Sequence, residues 1–268
     1  MKILITGSNG LVGKAIKQIS IEYTFTFIFV GRKDADLTNY KETYKLFETY
    51  KPDIVINLAA NVGGLFKNMN NPVSMFEDNM LINMNIIKCC HLFNVNKLIN
   101  ILSTCIFPDK ITYPISEKDL HNGSPHNSNE SYAYAKRMTE VLSKSYRKQY
   151  DMNIINIIPT NIYGEYDNFN LQDAHVIPAL IHKFYLAKQN SEVVVIKGSG
   201  RALRQFIYSY DLAQIILDII KYDKDVFEVI VAPDENEMSI KDVVNLIACE
   251  FNYHNYIFES NEDDDGQL

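Results

Sequence analysis

Short, continuously apolar runs alternate with amphipathic stretches from the start of this 268-residue chain. Continuous apolar strands of this kind are typical of a parallel sheet that is buried on both faces. Because such strands alternate with helices, the pattern predicts an α/β fold with a doubly wound parallel sheet. The predicted strands cover residues 2–6, 26–30, 53–59, 97–103 and 153–159.

Helices are predicted between these strands, beginning at about Leu11 and then covering about 40–50, 72–93 and 131–150. After Pro159 the pattern loosens. We therefore predict a main nucleotide-binding domain over 1–160 and a smaller α/β substrate lobe over 161–268, with some of its segments returning to the main domain. The lobe is predicted to have helices near 175–189, 209–221 and 239–250 and short strands at 193–196 and 228–232.

Composition excludes several classes of protein. The formal net charge is −7, from 26 Lys and Arg against 33 Asp and Glu, which disfavours a nucleic-acid partner. The chain contains no run of eighteen apolar residues, so no membrane span is predicted. The first ten residues predict a strand and a turn rather than a signal peptide. The four cysteines have no zinc-type spacing, so we expect a cytoplasmic protein with reduced thiols and no metal site.

The sequence TGSNGLVG places glycines at 7, 10 and 13, directly after the first predicted strand and at the start of a helix. Gly7 permits a tight turn, Gly10 lets a pyrophosphate approach the helix N-terminus, and Gly13 permits close packing. The motif predicts a dinucleotide site against the alternative of a plain tight turn. The residues expected to contact the cofactor here are Gly7, Asn9, Gly10, Leu11, Val12 and Gly13.

The end of the second strand indicates which dinucleotide binds. A carboxylate there bonds the ribose hydroxyls of NAD, whereas basic residues accept the 2′-phosphate of NADP. Arg32 and Lys33 occupy this place, so the sequence favours NADP(H), and Asp36 and Leu37 are expected to flank the adenine. The alternative is a solvated basic pair, because Lys and Arg are usually exposed.

Tyr132 and Lys136 lie four residues apart, on one face of the predicted helix 131–150. This helix follows the strand that ends at Ser103, and a parallel sheet brings strand ends and helix starts to one crevice. There, Ser103 is expected to bond a substrate carbonyl, Tyr132 to deliver a proton, and Lys136 to favour the tyrosinate and hold the nicotinamide ribose. The alternative is an aromatic surface beside a solvated lysine.

These residues resemble the motifs of the extended short-chain dehydrogenase/reductase family, whose main domain is a Rossmann fold. Longer stretches resemble the branch that makes GDP-L-fucose from GDP-4-dehydro-6-deoxy-D-mannose, and the resemblance runs from Met1 to about Gln267. The matching stretches are NLAANVGGLFKN (57–68), LSTCIFPDK (102–110), PHNSNESYAYAKR (125–137), PTNIYGEYDNFN (159–170), HVIPALIHKF (175–184) and GSGRALRQFIY (198–208).

The resemblance implies epimerisation at C3 and C5 of a 4-keto sugar and reduction of C4 by NADPH. It assigns Cys105 and His175 as the acid/base pair of the epimerisation, since thiol and imidazole titrate close enough to neutral to exchange protons. Two alternatives remain open: another sugar-nucleotide 4-epimerase or 4-ketoreductase of the same family, and a catalytically silent NADP-binding scaffold.

The resemblance also assigns binding residues and a homodimer through helices 72–93 and 131–150. Family members usually continue well past the position of Gln267, so it implies that part of the substrate lobe is missing. The residues implied beside the cofactor are Ala59, Ala60, Pro159, Asn161, Ile162 and His175, and those beside the GDP-sugar are Ser103, Asn161, Asn168, Lys183 and Arg204.

Overall fold

The structure, a computed structural model, describes residues 1–221, 226–234 and 237–259, with the backbone alone at 65–66. Residues 260–268 of the predicted lobe lie outside this range. The strands, numbered along the chain, are β1 (Lys2–Thr6), β2 (Thr26–Val30), β3 (Ile54–Asn57), β4 (Lys97–Ile101), β5 (Ile154–Pro159), β6 (Asn161–Tyr163), β7 (Val194–Lys197), β8 (Leu203–Arg204), β9 (Phe206–Tyr208), β10 (Glu228–Val231), β11 (Met238–Ser239) and β12 (Tyr256–Glu259).

Six parallel strands form the central sheet in the order β2-β1-β3-β4-β5-β10. The chain runs from β1 outward to β2 and then returns to place β3 on the other side of β1. This reversal is a topological switch point, where open α/β sheets bind ligands beyond the carboxyl ends of their strands.

Helices cover both faces of this sheet, which confirms the predicted doubly wound α/β fold. One face packs on α1 (Leu11–Ile19) and α7 (Ser209–Ile219), and the other on α2 (Tyr40–Tyr50), α4 (Pro72–Leu92) and α5 (Glu130–Tyr150). Strand β1 shows how the sequence produces both cores, because Ile3 and Ile5 point to the first face and Leu4 to the second. The helices are α1 (Leu11–Ile19), α2 (Tyr40–Tyr50), α3 (Leu65–Asn70), α4 (Pro72–Leu92), α5 (Glu130–Tyr150), α6 (Val176–Asn190), α7 (Ser209–Ile219) and α8 (Ile240–Phe251).

A smaller unit has its own core, formed by α6, α8, β7 and β12 around the fully buried Phe184. Strands β7 and β12 pair in parallel, β8 pairs with β11, and β6 pairs with β9. Strand β10 instead joins the edge of the main sheet beside β5. The predicted boundary at residue 160 and the predicted return of later segments to the main domain stay predictions.

A row of amide side chains crosses the middle of the sheet. Asn57, Asn100 and Asn156 lie abreast on β3, β4 and β5 and are buried. The Asn57 amide donates to Asn83 (2.9 Å) and to Asn100 (3.3 Å), and the Asn100 amide donates to Asn156 (3.4 Å). These hydrogen bonds satisfy most of the buried amide groups, which would otherwise destabilise the core.

None of the helices within the described ranges combines the length and the apolar character that crossing a membrane requires.

Candidate active site

The turn between β1 and α1 is shaped for close approach of a ligand. Gly7 has a φ of +64°, and a Cβ there would lie 2.7 Å from the carbonyl carbon of Leu58. A Cβ on Gly13 would lie 2.6 Å from the Cα of Ser8. Gly10 caps α1 without a side-chain hydrogen bond, so the first amide groups of the helix stay available to an anion.

Val12 and Asn9 of this turn shape the candidate site through their position in the fold. Val12 is buried in the core, so only its backbone N–H can face a ligand. Asn9 lies against the end of β2, since a Cβ on Gly31 would be 2.1 Å from the Asn9 amide nitrogen. The turn after β1 and the turn after β2 are therefore in contact.

The end of β2 presents positive charge. Arg32 and Lys33 are exposed, whereas the carboxylate of Asp34 turns back to accept the Gly31 amide at 2.8 Å. The nearest acidic side chain is thus occupied by the backbone, and a ligand at this turn meets two cations. This arrangement suits a phosphate better than a ribose hydroxyl pair.

The two residues expected beside the adenine differ in their surroundings. The Asp36 carboxylate accepts the hydroxyl (2.7 Å) and the amide (3.0 Å) of Thr38, and these hydrogen bonds lower the pKa of Asp36. Leu37 is buried beneath α2 and α4, and the expectation that it flanks the adenine stays a prediction. The Leu37 carbonyl accepts the Asn85 amide at 2.9 Å, which holds this segment on the helices.

The turn after β4 carries a serine and a thiol side by side. Ser103 is the N-cap of a short 3₁₀ turn over 104–106, and its hydroxyl accepts the Cys105 amide at 3.4 Å. Burial raises the pKa of the Cys105 thiol to about 11, while Ser103 and the charges of Lys136 and Arg137 act in the opposite direction. The thiol is therefore predominantly protonated at neutral pH in this structure.

Arg137 holds this turn in place through hydrogen bonds to backbone carbonyls, a role that was not found from the sequence. It is 4% exposed, its Nε donates to the Ile106 carbonyl at 2.5 Å, and one terminal nitrogen donates to the Gly123 carbonyl at 2.7 Å. Its position directly after Lys136 was the available signal, since neighbouring helical residues point to different sides of a helix.

Tyr132 and Lys136 lie near the start of α5 and face the turn after β4. The Lys136 ammonium donates to the Ile101 carbonyl at the end of β4 (2.8 Å) and lies 5.8 Å from the centre of the Tyr132 ring. Burial lowers the pKa of Lys136 to about 8 and raises the pKa of Tyr132, with the Cys105 charge adding to the latter. Burial dominates the pKa of Tyr132 here and the Lys136 ammonium is engaged by Ile101, so the role of Lys136 in favouring the tyrosinate stays a prediction.

His175 lies at the N-cap of α6, on a loop that a different part of the chain holds in place. Its side chain is half exposed, and its Nδ1 lies 3.9 Å from the buried carboxylate of Asp167. The Gly64 amide donates to the Asp173 carbonyl at 2.9 Å, and a Cβ on Gly64 would lie 2.5 Å from the Ala174 carbonyl. The loop before His175 therefore rests on the loop that leaves β3.

The loop after β3 also joins the other parts of the site. The Ala59 amide donates to the Thr6 hydroxyl of β1 at 3.3 Å, and both Ala59 and Ala60 are partly buried. Helix α3 follows this loop and packs against the 3₁₀ turn at 127–129, directly before α5. The segment from Ala59 to α3 thus lies between the phosphate turn, the start of α5 and the His175 loop.

The segment after β5 is held by backbone pairing. Pro159 pairs with Val231 of β10, and Ile162 packs on the core beneath α1 and α7. Asn161 is exposed, and its amide donates to the Gln205 carbonyl at 3.0 Å. Asn168 is exposed as well, and its side chain accepts the Asn170 amide at 3.0 Å.

A group of cations lies on the smaller unit. Lys183 of α6 is partly buried and donates to the Val195 carbonyl at 3.1 Å. Burial, followed by the charge of Lys197, lowers the pKa of Lys183, so the two ammonium groups are close enough to repel each other. Arg204 donates to the Leu203 carbonyl at 2.6 Å. Sequence reasoning missed Lys197, although its exposed position on β7 was readable from the alternation in VVIK.

The whole chain is similar to known proteins. Residues 3–231 match the NAD dependent epimerase/dehydratase family. Over 99% of its length the chain is 46% identical to a GDP-L-fucose synthase of Dictyostelium discoideum and covers 84% of that protein. It is 41% identical, over 99% of its length, to a probable GDP-L-fucose synthase of Drosophila melanogaster and covers 86% of it.

Comparison with solved structures agrees. The fold matches the crystal structure of a GDP-L-fucose synthetase from Naegleria fowleri bound to NADP with a TM-score of 0.91 and 43% identity, covering 98% of this chain and 82% of that one. The chain therefore belongs to the NAD dependent epimerase/dehydratase family and, within it, to the group of the GDP-L-fucose synthases.

Proposed function

We propose that this protein converts GDP-4-dehydro-6-deoxy-D-mannose to GDP-L-fucose by epimerisation at C3 and C5 and NADPH-dependent reduction at C4. The observation that carries the proposal is the group formed by Ser103, Cys105, Tyr132 and Lys136 at the carboxyl end of β4. Its occurrence in a chain that is 46% identical to a GDP-L-fucose synthase supports this substrate.

The cofactor proposed for this site is NADP(H), and the shape of the turn after β1 fits it. The close contacts at Gly7 and Gly13 support a pyrophosphate at the backbone amides of this turn, and the exposed Arg32 and Lys33 are the proposed partners of the 2′-phosphate. When bound, NADPH supplies the hydride that reduces C4 of the sugar.

Epimerisation requires that a proton leaves C3 or C5 from one face of the sugar ring and returns on the other. The adjacent ketone accepts the electron pair of the broken C–H bond as an enolate, which Ser103 and Tyr132 stabilise by hydrogen bonds to the oxygen. Cys105 and His175 are the proposed acid/base pair. The thiol keeps its proton at neutral pH because burial raises its pKa, so it has a proton to give.

Reduction requires a proton for the C4 oxygen. The raised pKa of Tyr132 keeps the phenol protonated, so it is ready to donate to the developing alkoxide. Lys136 lies beside it, held by the Ile101 carbonyl, and is the proposed partner of the cofactor ribose.

The diphosphate of the GDP-sugar is assigned to the cations of the smaller unit. Lys183 and Lys197 repel each other in the structure, and an anion between them would relieve that repulsion. Arg204 and the exposed Asn161 and Asn168 complete the proposed substrate side.

The proposed assembly is a homodimer formed through α4 and α5, in a cytoplasmic protein. Apolar side chains stay exposed along α4, where Val73, Phe76, Leu81 and Met84 are 38–66% exposed, and Val141 of α5 is 41% exposed. Such an exposed apolar face indicates a partner surface. Sedimentation equilibrium tests this assignment, and a monomer at micromolar concentration would contradict it.

The proposed division of labour is tested with two variants. Cys105→Ser should abolish deuterium incorporation from D₂O at C3 and C5, measured with NADP⁺ in place of NADPH so that no reduction follows. Tyr132→Phe should slow NADPH oxidation with the 4-keto sugar nucleotide by 10²-fold or more, an order expected for loss of a general acid. Cys249→Ser and Tyr134→Phe are the matched controls and should behave as wild type.

The outcome also separates the alternatives. NADPH oxidation without deuterium incorporation in the wild-type protein would indicate a 4-ketoreductase. NADPH binding without any turnover would indicate a silent scaffold.

A further inference from the structure

Asp167 carries a buried carboxylate whose surroundings are incomplete. Its side chain is 7% exposed, and its Oδ1 accepts the Asn168 amide at 2.7 Å. Its Oδ2 has no hydrogen-bond partner within the described part of the chain. A buried carboxylate oxygen without a hydrogen-bond partner destabilises the folded state, because no hydrogen bond offsets its loss of hydration. This carboxylate is therefore placed for a donor that comes closer in another state of the site.

The imidazole of His175 is the donor that lies next to it. Nδ1 of His175 is 3.9 Å from Oδ1 of Asp167, about 1 Å beyond a hydrogen bond. The imidazole is half exposed, so its ring is free to turn by this amount, whereas the Asp167 carboxylate is enclosed. Hydrogen bonds of catalytic groups are often long without a ligand and shorten when substrate binds.

Other acidic groups of this loop are not placed for the same task. The Glu165 carboxylate accepts the Tyr208 hydroxyl at 2.8 Å. Asp173 takes part through its backbone, whose carbonyl accepts the Gly64 amide. Asp167 is thus the carboxylate that the described structure sets against the His175 ring.

We propose that Asp167 is the positioning residue of His175, an inference that rests on the proposed function of the site. Asp167 accepts the proton-bearing Nδ1 of the imidazole and so directs Nε2 to the sugar ring. When Nε2 takes the proton from C3 or C5, the electron pair of that C–H bond moves to the C4 oxygen, and Cys105 returns a proton to the opposite face. Nδ1 keeps its proton throughout, and the negative carboxylate stabilises the imidazolium that forms.

The first test compares Asp167→Asn with Asp173→Asn, which removes the same charge from the same loop. Asp167→Asn should lower kcat for deuterium incorporation at least 10-fold, because the imidazole loses the group that fixes its tautomer and orientation, with KM changed less than twofold. Asp173→Asn should leave kcat within twofold of wild type. A rise in KM without a fall in kcat would show a merely structural role and overturn the proposal.

The second arm asks whether Asp167 acts through His175. The double variant Asp167→Asn/His175→Asn should be no slower than His175→Asn alone, because residues that act as a unit are not additive. Rate losses that multiply in the double variant would contradict the assignment.

The third arm uses the wild-type protein and does not depend on a variant's folding or on turnover. ¹⁵N spectra of histidine-labelled protein, measured with the rings in the neutral form, should show the His175 proton on Nδ1 and a free lone pair on Nε2. The signal is assigned by its loss in His175→Asn. The opposite tautomer would overturn the proposal, whereas a wild-type protein with the expected tautomer and no deuterium incorporation would count against the proposed function alone.

Discussion

At the scale of single residues, the site is defined by what holds Cys105. The 3₁₀ turn that carries the thiol receives hydrogen bonds from Arg137 to the Ile106 carbonyl and, on the adjoining segment, to the Gly123 carbonyl. Burial raises the pKa of the thiol, and the guanidinium is one of the charges that limit the rise. Arg137 therefore supports both the position and the charge state of a proposed catalytic group.

Replacing Arg137 by Met should raise the pKa of the Cys105 thiol further, because a lowering charge is removed. Below that pKa, each unit of increase reduces the thiolate fraction tenfold, so alkylation of Cys105 by iodoacetamide should slow several-fold at pH 8. The measurement is the pH dependence of alkylation at the Cys105 peptide by mass spectrometry. Arg137→Lys keeps the charge and should fall between the two.

An unchanged pH dependence in Arg137→Met would contradict this electrostatic role. The variant should also lose stability by about 1–3 kcal/mol, because the buried Ile106 carbonyl is left unpaired. Thermal unfolding checks that loss separately.

At the scale of elements, two loops from distant parts of the chain form one support. The loop after β3 touches the loop before α6 so closely at Gly64 that no side chain fits between them. The same loop begins at Ala59, which bonds β1, so any shift in it reaches both the phosphate turn and His175.

Gly64→Ala should displace the His175 loop, because its Cβ would lie 2.5 Å from the Ala174 carbonyl, a backbone atom. We expect deuterium incorporation to fall at least tenfold, since small misplacements of reacting groups cost large rate factors. Gly63→Ala is the matched control, as its Cβ would meet the flexible Lys67 side chain, which can move aside. Equal activity of the two variants would refute the role of this contact.

The elements also show what a sequence reveals and what it does not. The long helices and the first five strands of the sheet were predictable because their apolar runs repeat with clear periods. The predicted strand 53–59 ends instead at Asn57, because the following alanines leave the sheet and turn toward β1. Strands β6, β8, β9 and β11 were missed because two or three residues carry no readable period.

The sequence predicted those parts of the site that belong to local motifs with a recognisable chemical role. The glycine turn and the pair Tyr132 and Lys136 have such motifs. Asp167 and Gly64 lie in stretches that resemble the family, but the sequence assigns them no role, because their importance arises from contact with a segment that is distant in sequence. The burial of Leu37 was not readable either, since it depends on hydrogen bonds from α2 and α4.

At the scale of the whole molecule, a pair of carboxyl groups links the edge of the main sheet to its helical cover. Glu228 of β10 and Glu140 of α5 interact, and burial, followed by Glu140, raises the pKa of Glu228 to about 8. Glu140 also lies 2.9 Å from the His121 ring. Burial and the neighbouring Glu140 both disfavour the charged form of Glu228, so Glu228 keeps its proton at neutral pH.

This pair makes the stability of the fold depend on pH. The folded state binds the Glu228 proton up to about pH 8, whereas the unfolded chain releases it near its ordinary value of 4.5. The free energy of unfolding should therefore fall as pH rises through that window. Glu228→Gln carries no such proton and should be more stable than wild type at pH 8 by a few degrees in Tm.

Thermal unfolding between pH 5 and pH 9 measures this difference. Glu250→Gln, which changes an exposed carboxylate on α8, is the control and should follow the wild-type curve. Wild-type and Glu228→Gln curves that run parallel across the range would disprove the linkage.

The amide row through β3, β4 and β5 has a consequence for how faithfully the site is assembled. The three neighbouring asparagines fix the register of β3, β4 and β5. A shift of one strand by a single residue would turn its amide to the opposite face of the sheet and leave the neighbouring amides without partners. Ser103 follows Asn100 by only three positions, so this register sets how far the reacting groups extend beyond the sheet. A purely aliphatic interior would tolerate such a shift in register far better. The three asparagines therefore reduce the apolar content of the core but fix the register of these strands.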